Sequence, residues 1–173
     1  MSATTIFQYI LLIALILFTA FNFYAFTVGK KKKQQATNNY QQTLKALEQQ
    51  AYEAMQERKI HFDQKQGYIN DLNEGILITF DHANHLVGIT LKDAFYLFGF
   101  SDFLGVKQTY DTLENGKLTN IAVEIETKDS VITLLFGTKE WKRNSYLGKF
   151  LLSDSQELCT LLERECKSAA STN

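Results

Sequence analysis

The pattern of apolar and polar positions divides the chain into three stretches. Residues 6–28 are apolar almost throughout, and the polar exceptions are Gln8, Thr19, Asn22 and Thr27. Residues 40–54 then carry an apolar side chain every three or four positions, which is the spacing of an amphipathic helix. From Gly75 onward the period falls to two, which is typical of β-strands. The pattern therefore predicts an apolar helix, an amphipathic helix and a β-rich domain.

Six apolar runs in the second half of the chain predict antiparallel strands. They cover residues 75–80, 86–91, 94–100, 103–110, 118–126 and 131–136. Asn115 and Gly116 lie between the fourth and fifth runs, and Asn-Gly indicates a hairpin because both residues accept positive φ. No helical pattern interrupts the runs, so we expect an antiparallel barrel or sandwich. A further strand over residues 147–152 is an open alternative.

A closing helix is predicted after the last strand. Leu158, Leu162 and Cys166 recur at helical spacing, and Ser153 followed by Gln156 fits a capping box. We therefore expect Ser153 or Asp154 to cap this helix. The predicted fold class is α+β: an N-terminal transmembrane helix, a juxtamembrane helix, and an antiparallel β-barrel or sandwich of six or seven strands closed by a C-terminal helix.

The apolar stretch over residues 6–28 is long enough to cross a membrane. A helix of about 23 residues measures roughly 34 Å, against a hydrocarbon core of about 30 Å. No basic residue precedes the stretch, and Lys30, Lys31, Lys32 and Lys33 follow it. The positive-inside rule then places the C-terminal domain in the cytoplasm. We expect a single-pass protein of the inner (cytoplasmic) membrane with its N-terminus outside, because a cleaved signal peptide would need a basic start and a shorter apolar core.

Three regions follow from this interpretation: a transmembrane anchor over residues 1–29, a basic collar with an amphipathic helix over 30–67, and the β domain over 68–173. The four lysines are expected at the membrane surface, either as an ordinary stop signal or as a contact with anionic lipid. The amphipathic helix has two possible roles. It packs on its own domain, or it forms a parallel coiled-coil homodimer through residues 40–58.

Composition and charge exclude several classes of protein. The chain has no Pro and only 2 Cys, so it is neither a Pro-rich linker nor a disulfide scaffold. Residues 34–173 keep 14 of the 18 basic residues against all 19 acidic ones, so their net charge is −5. Nucleic-acid binding is disfavoured, because it needs a basic surface.

Few residues are candidates for catalysis or metal binding. His82 and His85 have ligand-like spacing but lie in a predicted turn. Cys159 and Cys166 lie about two helical turns apart on one helix face, too far to form a disulfide. The sequence contains no nucleotide-binding, hydrolase or metalloprotease motif. We therefore predict no catalytic residue, no metal and no cofactor.

The most distinctive polar cluster follows the last predicted strand. Lys139, Trp141, Lys142, Arg143 and Tyr146 place basic and aromatic side chains in one loop. In one interpretation Trp141 and Tyr146 anchor the loop on the barrel while the basic side chains point to water. In the other, the five residues bind a partner protein or an anionic headgroup, because Trp, Tyr and Arg are common at interfaces.

Two segments resemble the bacterial pleckstrin-homology-like domains of small membrane-anchored proteins. The first is residues 96–106, YLFGFSDFLGV. The second runs from the hairpin at Asn115 through the strand ending at Phe136 and the loop around Trp141 to the closing helix, and the resemblance covers residues 75–167. It implies a scaffold that binds proteins or lipids rather than a catalyst.

We therefore expect a membrane-tethered, non-catalytic binding domain that faces the cytoplasm and recognises a protein partner, as an immunity or exclusion factor would. The alternative is a module that senses phosphoinositide-like or other anionic lipid headgroups. Contact with the bilayer through residues 6–28 belongs to both readings, and neither involves a nucleic acid.

Overall fold

The structure, a computed structural model, describes residues 12–19, 21 and 40–170. The chain divides into two compact units, Met1–Gln41 and Gln42–Asn173. In the first unit, residues 12–19 and 21 are helical. Lys30, Lys31, Lys32 and Lys33 lie outside the described residues, so the expected surface contact of these lysines stays a prediction.

The predicted transmembrane helix is corrected by the structure. Among the described residues, no helix is both long enough and apolar enough to cross a membrane. The predicted single-pass topology and inner-membrane localisation are therefore wrong. The remainder of the predicted span over residues 6–28 lies outside the described residues.

The second unit is α+β. Helix α1 covers residues 40–56, of which residues 42–56 belong to this unit. The strands of the second unit are β1 (Gln64–Ile69), β2 (Gly75–Asp81), β3 (Leu86–Thr90), β4 (Phe95–Gly99), β5 (Phe103–Thr112), β6 (Lys117–Thr127), β7 (Val131–Gly137) and β8 (Trp141–Lys142). A single 3₁₀ turn, Phe100–Asp102, links β4 to β5, and helix α2, Tyr146–Ala170, closes the fold.

The strands form two antiparallel sheets. Sheet A has the order β1-β2-β3-β4, and sheet B has the order β5-β6-β7 with the short β8 also paired to β6. The six predicted strands correspond to β2 through β7, and the expected count of six or seven is corrected to eight within residues 40–170. Strand β1 escaped prediction because its sequence, QKQGYI, starts with three polar residues, and β8 is only two residues long.

The core lies between the two sheets and α2. Phe80 of sheet A, Ile125 and Phe136 of sheet B, and Leu158 and Leu162 of α2 are all fully buried within it. Side chains at alternate positions of each strand enter this core, which is why the period of two was visible in the sequence.

Helix α1 covers the other face of sheet A. Leu47 and Ala51 of the helix form a buried cluster with Leu77 of β2. Close approach depends on glycine, because a Cβ at Gly75 would lie 2.5 Å from Leu47 Cδ1. The helix therefore packs on its own domain. A homodimer through residues 40–58 stays a prediction, but the side chains of Leu47 and Ala51 are already buried within one chain.

Helix α2 begins earlier than predicted. Ser145 caps it, since its Oγ accepts a hydrogen bond from the Gly148 N–H at 3.1 Å and its carbonyl accepts one from the Lys149 N–H at 3.0 Å. Residues 147–152 are thus helical and do not form the further strand that was an open alternative. Ser153 lies inside the helix and does not cap it. The sequence LGKFLL fits both the period of two of a strand and the period of 3.6 of a helix. The cap at Ser145, and not the apolar pattern, therefore decides that these residues are helical.

Candidate functional site

One carboxylate of the β1–β2 turn holds the loop between β7 and β8. Asp71 accepts hydrogen bonds from the N–H groups of Thr138 and Lys139, both at 2.9 Å, and from Trp141 Nε1 at 3.0 Å. The Thr138 hydroxyl adds a fourth bond at 3.1 Å. Burial by itself raises the pKa of Asp71, but the hydrogen bonds from Lys139, Trp141 and Thr138 outweigh it and hold the pKa below its ordinary value.

The five residues predicted to form a binding loop have different environments. Trp141 is half-buried and packs against the core, so it anchors the loop as one interpretation expected. Tyr146 does not, because it is 83% exposed. Lys139, Lys142 and Arg143 are also exposed. Four of the five side chains thus face solvent, and their role in binding stays a prediction.

Arg143 is held over a tyrosine of β5. Its guanidinium carbon lies 5.5 Å from the centre of the Tyr110 ring, and Nη2 donates a hydrogen bond to the Tyr110 hydroxyl at 2.9 Å. A cation above an aromatic ring is attracted to it, so the two contacts restrain a long side chain. The ion pairs among the described residues do not include Arg143.

A groove of about 480 Å³ lies between β5 and the N-terminal half of α2. We call it the basic groove, and its lining includes Gln108, Tyr110, Arg143, Lys149, Leu152 and Gln156. Both charged residues in its lining, Arg143 and Lys149, are basic. Beside it, Gln108 Nε2 donates to the Leu152 carbonyl at 2.8 Å and so ties β5 to α2.

Sequence reasoning found only Arg143 among the groove residues. Tyr110 lies 33 positions away from Arg143, and no local pattern indicates that their side chains meet. Lys149 was placed in a possible strand, so its position on a helix next to β5 was not predicted. The run over residues 103–110 was the one available signal, and it indicated a strand without indicating which segments lie next to it.

A second polar cluster centres on His82 in the β2–β3 turn. Its Nδ1 lies 2.5 Å from Asp63 Oδ1, and its Nε2 lies 3.2 Å from Glu165 Oε2 of α2. The hydrogen bond with Asp63 raises the pKa of His82, partial burial opposes it, and Glu165 raises the pKa further. The ring was expected to be solvated, but it links three parts of the fold.

Neither the histidines nor the cysteines form a recognisable reactive site. Within the described part of the chain, no group of three or more His, Cys, Asp and Glu side chains could hold a metal ion. Cys159 and Cys166 are buried, and desolvation raises their pKa values to about 11 and about 12. Both thiols are therefore protonated at neutral pH, which disfavours a nucleophilic role.

Comparisons with known proteins identify no family for this chain. A scan against protein-family models, a search of curated proteins and a search of solved structures each found no match. The structure defines the class only as an α+β domain of two antiparallel sheets with a closing helix. The resemblance to pleckstrin-homology-like domains stays a prediction.

Proposed function

We propose that the second unit is a non-catalytic protein-binding domain and that an acidic segment of its partner binds in the basic groove. The observation that carries this proposal is Arg143, which Tyr110 restrains at the groove while no described carboxylate pairs with it. The proposal does not include a membrane tether.

Charge supports an acidic partner. The chain from residue 34 onward has a net charge of −5, yet both charged side chains that line the groove are basic. Lys142, the last residue of β8, precedes Arg143 directly and is also exposed. A local basic surface on an otherwise acidic domain favours the binding of an acidic partner.

Restraint of the basic side chain supports binding rather than simple solvation. An arginine that is free in water loses rotamer entropy when it binds, at a cost of about 0.5–1.5 kcal/mol. The hydrogen bond and the ring contact with Tyr110 reduce that loss beforehand. The rings of Tyr146 and Phe150, near the start of α2, are also exposed and offer aromatic contact area to a partner.

The proposal is tested with a displayed library of random peptides, selected on the full chain. We expect the selected peptides to be rich in Asp and Glu. Their affinity, measured by fluorescence polarisation, should fall about tenfold for Arg143→Ala, because a charge-assisted hydrogen bond contributes about 1.5 kcal/mol. Lys149→Ala should reduce it by a similar factor.

Lys128→Ala is the matched control, because Lys128 is an exposed lysine in the β6–β7 turn and does not line the groove. Its affinity for the peptides should equal that of the unmodified chain. The proposal fails if no acidic peptide is selected, or if the selected peptides bind the Arg143→Ala/Lys149→Ala double variant equally well.

The lipid alternative is separated by a second probe. Phosphatidylcholine vesicles with and without phosphatidylserine are titrated with the same variants at low salt, where surface electrostatics are strongest. We expect no difference between the two kinds of vesicle. Binding to the anionic vesicles that Arg143→Ala removes, together with a failed peptide selection, would replace the protein partner with an anionic headgroup.

A further inference from the structure

Strand β7 lies at the edge of sheet B opposite to β5. It pairs with β6 over Val131–Gly137, and within residues 40–170 no strand pairs with its other side. The β1–β2 turn closes only one end of this edge, where the Asp71 N–H donates to the Phe136 carbonyl at 2.9 Å. The remainder of the edge therefore presents unpaired backbone groups.

The β6–β7 turn shows which backbone groups these are. The Thr127 N–H donates to the Ser130 carbonyl at 2.9 Å, so this pair is hydrogen-bonded. Hydrogen-bonded pairs alternate along an antiparallel ladder, which places Ile132 and Leu134 in bonded pairs with β6. The N–H and C=O groups of Val131, Thr133 and Leu135 consequently point away from β6.

The side chains of the same residues leave the edge unprotected. Val131 is 60% exposed, Leu135 is 45% exposed, and the whole strand, VITLLFG, contains no charged residue and no proline. Natural edge strands usually carry a Lys, a Pro or a bulge that prevents pairing with another chain. Strand β7 has a bulge at Phe136, where its register with β6 shifts, but its pairing with β6 is regular over Val131–Leu135. Thr133 and Leu135 also line a cavity of about 250 Å³, and its other walls are the β1–β2 turn, the start of β2 and the β3–β4 turn of sheet A.

We infer that β7 pairs antiparallel with β7 of a second copy of this chain, about a twofold axis at Thr133. Val131 of each copy then faces Leu135 of the other copy, and the two Thr133 residues face each other. These three residues of each copy exchange about six interchain hydrogen bonds, since each facing pair exchanges two. The two sheets B join into one continuous sheet.

Self-complementarity favours a second copy over a charged partner. In an antiparallel pair of β7 strands, Val131, Thr133 and Leu135 of one copy lie opposite Leu135, Thr133 and Val131 of the other. The exposed apolar side chains of the two copies therefore cover one another. Glu124 and Glu126 lie on the neighbouring strand opposite Thr133 and Val131, and they disfavour an acidic strand at this edge. This interface is separate from the basic groove, so each proposal can fail without the other.

The pairing is tested by sedimentation velocity of the full chain over a range of concentrations. In the proposed register, Val131→Lys/Leu135→Lys places like charges opposite each other, whereas Val131→Lys/Leu135→Glu places opposite charges there. We expect the first double variant to raise the dimer dissociation constant at least about tenfold. The second should dimerise within about threefold of the unmodified chain.

A backbone variant tests the hydrogen bonds independently of charge. Thr133→Pro removes an N–H group that points away from β6, so the bonds within the chain remain and the strand stays compatible with an edge. It should weaken the dimer while the circular dichroism spectrum is unchanged. This variant decides the question if the charged double variants fail to fold.

Leu104→Lys is the control, because Leu104 is an exposed leucine of β5, at the other edge of sheet B. It should leave the dissociation constant unchanged. A chain that is monomeric at every concentration overturns the inference. So does a dimer that the Lys/Lys variant and Thr133→Pro leave as stable as before.

Discussion

Sheet A is covered on both faces, whereas sheet B is covered on one. Every residue of β2 in sheet A is buried, because the core lies on one face and α1 on the other. In β7 of sheet B, Ile132, Leu134 and Phe136 are buried while Val131, Thr133 and Leu135 are exposed. The two sheets have the same number of strands and the same antiparallel pairing, yet only one of them keeps a solvent face.

The difference separates stability from recognition within one small domain. A doubly covered sheet buries more apolar area per residue and offers little surface for binding. Sheet B has an exposed face and two edges, and both proposed interfaces lie at those edges: the basic groove beside β5 and the self-pairing edge of β7. We therefore expect variants in sheet A to change stability and variants in sheet B to change association.

The largest effect should come from removing a leucine beneath α1. Leu77 is 3% exposed in β2, and Leu77→Ala should lower the free energy of unfolding by about 3 kcal/mol, through lost burial and a cavity. Leu104→Ala makes the same chemical change at a residue that is 55% exposed in sheet B. Leu104→Ala should lower the free energy of unfolding by less than about 0.5 kcal/mol. Urea unfolding of both variants measures the difference, and equal costs would contradict the contrast between the sheets.

An intermediate effect is expected at Asp71, which links the β1–β2 turn of sheet A to the β7–β8 loop of sheet B. Asp71→Ala leaves the Trp141 N–H and the backbone N–H groups of Thr138 and Lys139 without their acceptor. We expect a loss of about 2 kcal/mol in the free energy of unfolding, together with a change in Trp141 fluorescence. Trp141 is the single Trp of the chain, so the signal reports this loop.

The contribution of Asp71 to the free energy of unfolding also depends on pH. Its pKa is lower in the folded than in the unfolded chain, so the stabilisation is fully present above the unfolded value of about 3.9 and is lost as pH falls through the folded value. Asp71→Asn keeps an acceptor oxygen but removes this titration. The difference in stability between the native chain and Asp71→Asn should therefore shrink in acid, and a constant difference would argue against an ionised Asp71.

The smallest effect is expected at His82, which ties α2 to the β2–β3 turn of sheet A. Because its pKa is raised in the folded chain, the stabilisation is fully present below the unfolded value of about 6.5 and is lost as pH rises through the folded value. His82→Asn should remove less than about 1 kcal/mol, because the ring and Asp63 are partly exposed.

His85→Asn is the control for this change, since His85 lies in the same turn and contacts the Phe100 ring. Urea unfolding at several pH values on either side of 6.5 compares the two variants, and equal pH dependence would show that Asp63 and Glu165 do not stabilise a protonated His82.

Local sequence patterns were sufficient for the strands that have one buried face. Ile132, Leu134 and Phe136 alternate with exposed residues, and the run from 131 to 136 was predicted within one residue of β7. Patterns failed where a strand begins with polar residues and where an apolar run fits both the strand period and the helix period. Strand β1 begins with polar residues, and the first turns of α2 read LGKFLL, so β1 was missed and the start of α2 was placed at Ser153 instead of Tyr146.

The candidate site was predicted only in part, because its contacts join distant segments. The loop with Trp141 and Arg143 was visible in the sequence as a cluster of basic and aromatic residues. Its anchor, Asp71, precedes Trp141 by 70 positions, and Tyr110 precedes Arg143 by 33. Such partners are determined by strand register and sheet packing, which no short stretch of sequence contains.

The sequence by itself determined the α+β class, the position of β2 through β7 and the presence of a closing helix, because alternation and helical spacing are local consequences of burial on one face. Only the tertiary structure decided that α1 covers sheet A and that sheet B keeps an open face. It also decided which edge receives α2 and which edge is left unpaired. These outcomes depend on which apolar surfaces meet, and that is a property of the packed chain rather than of any one element.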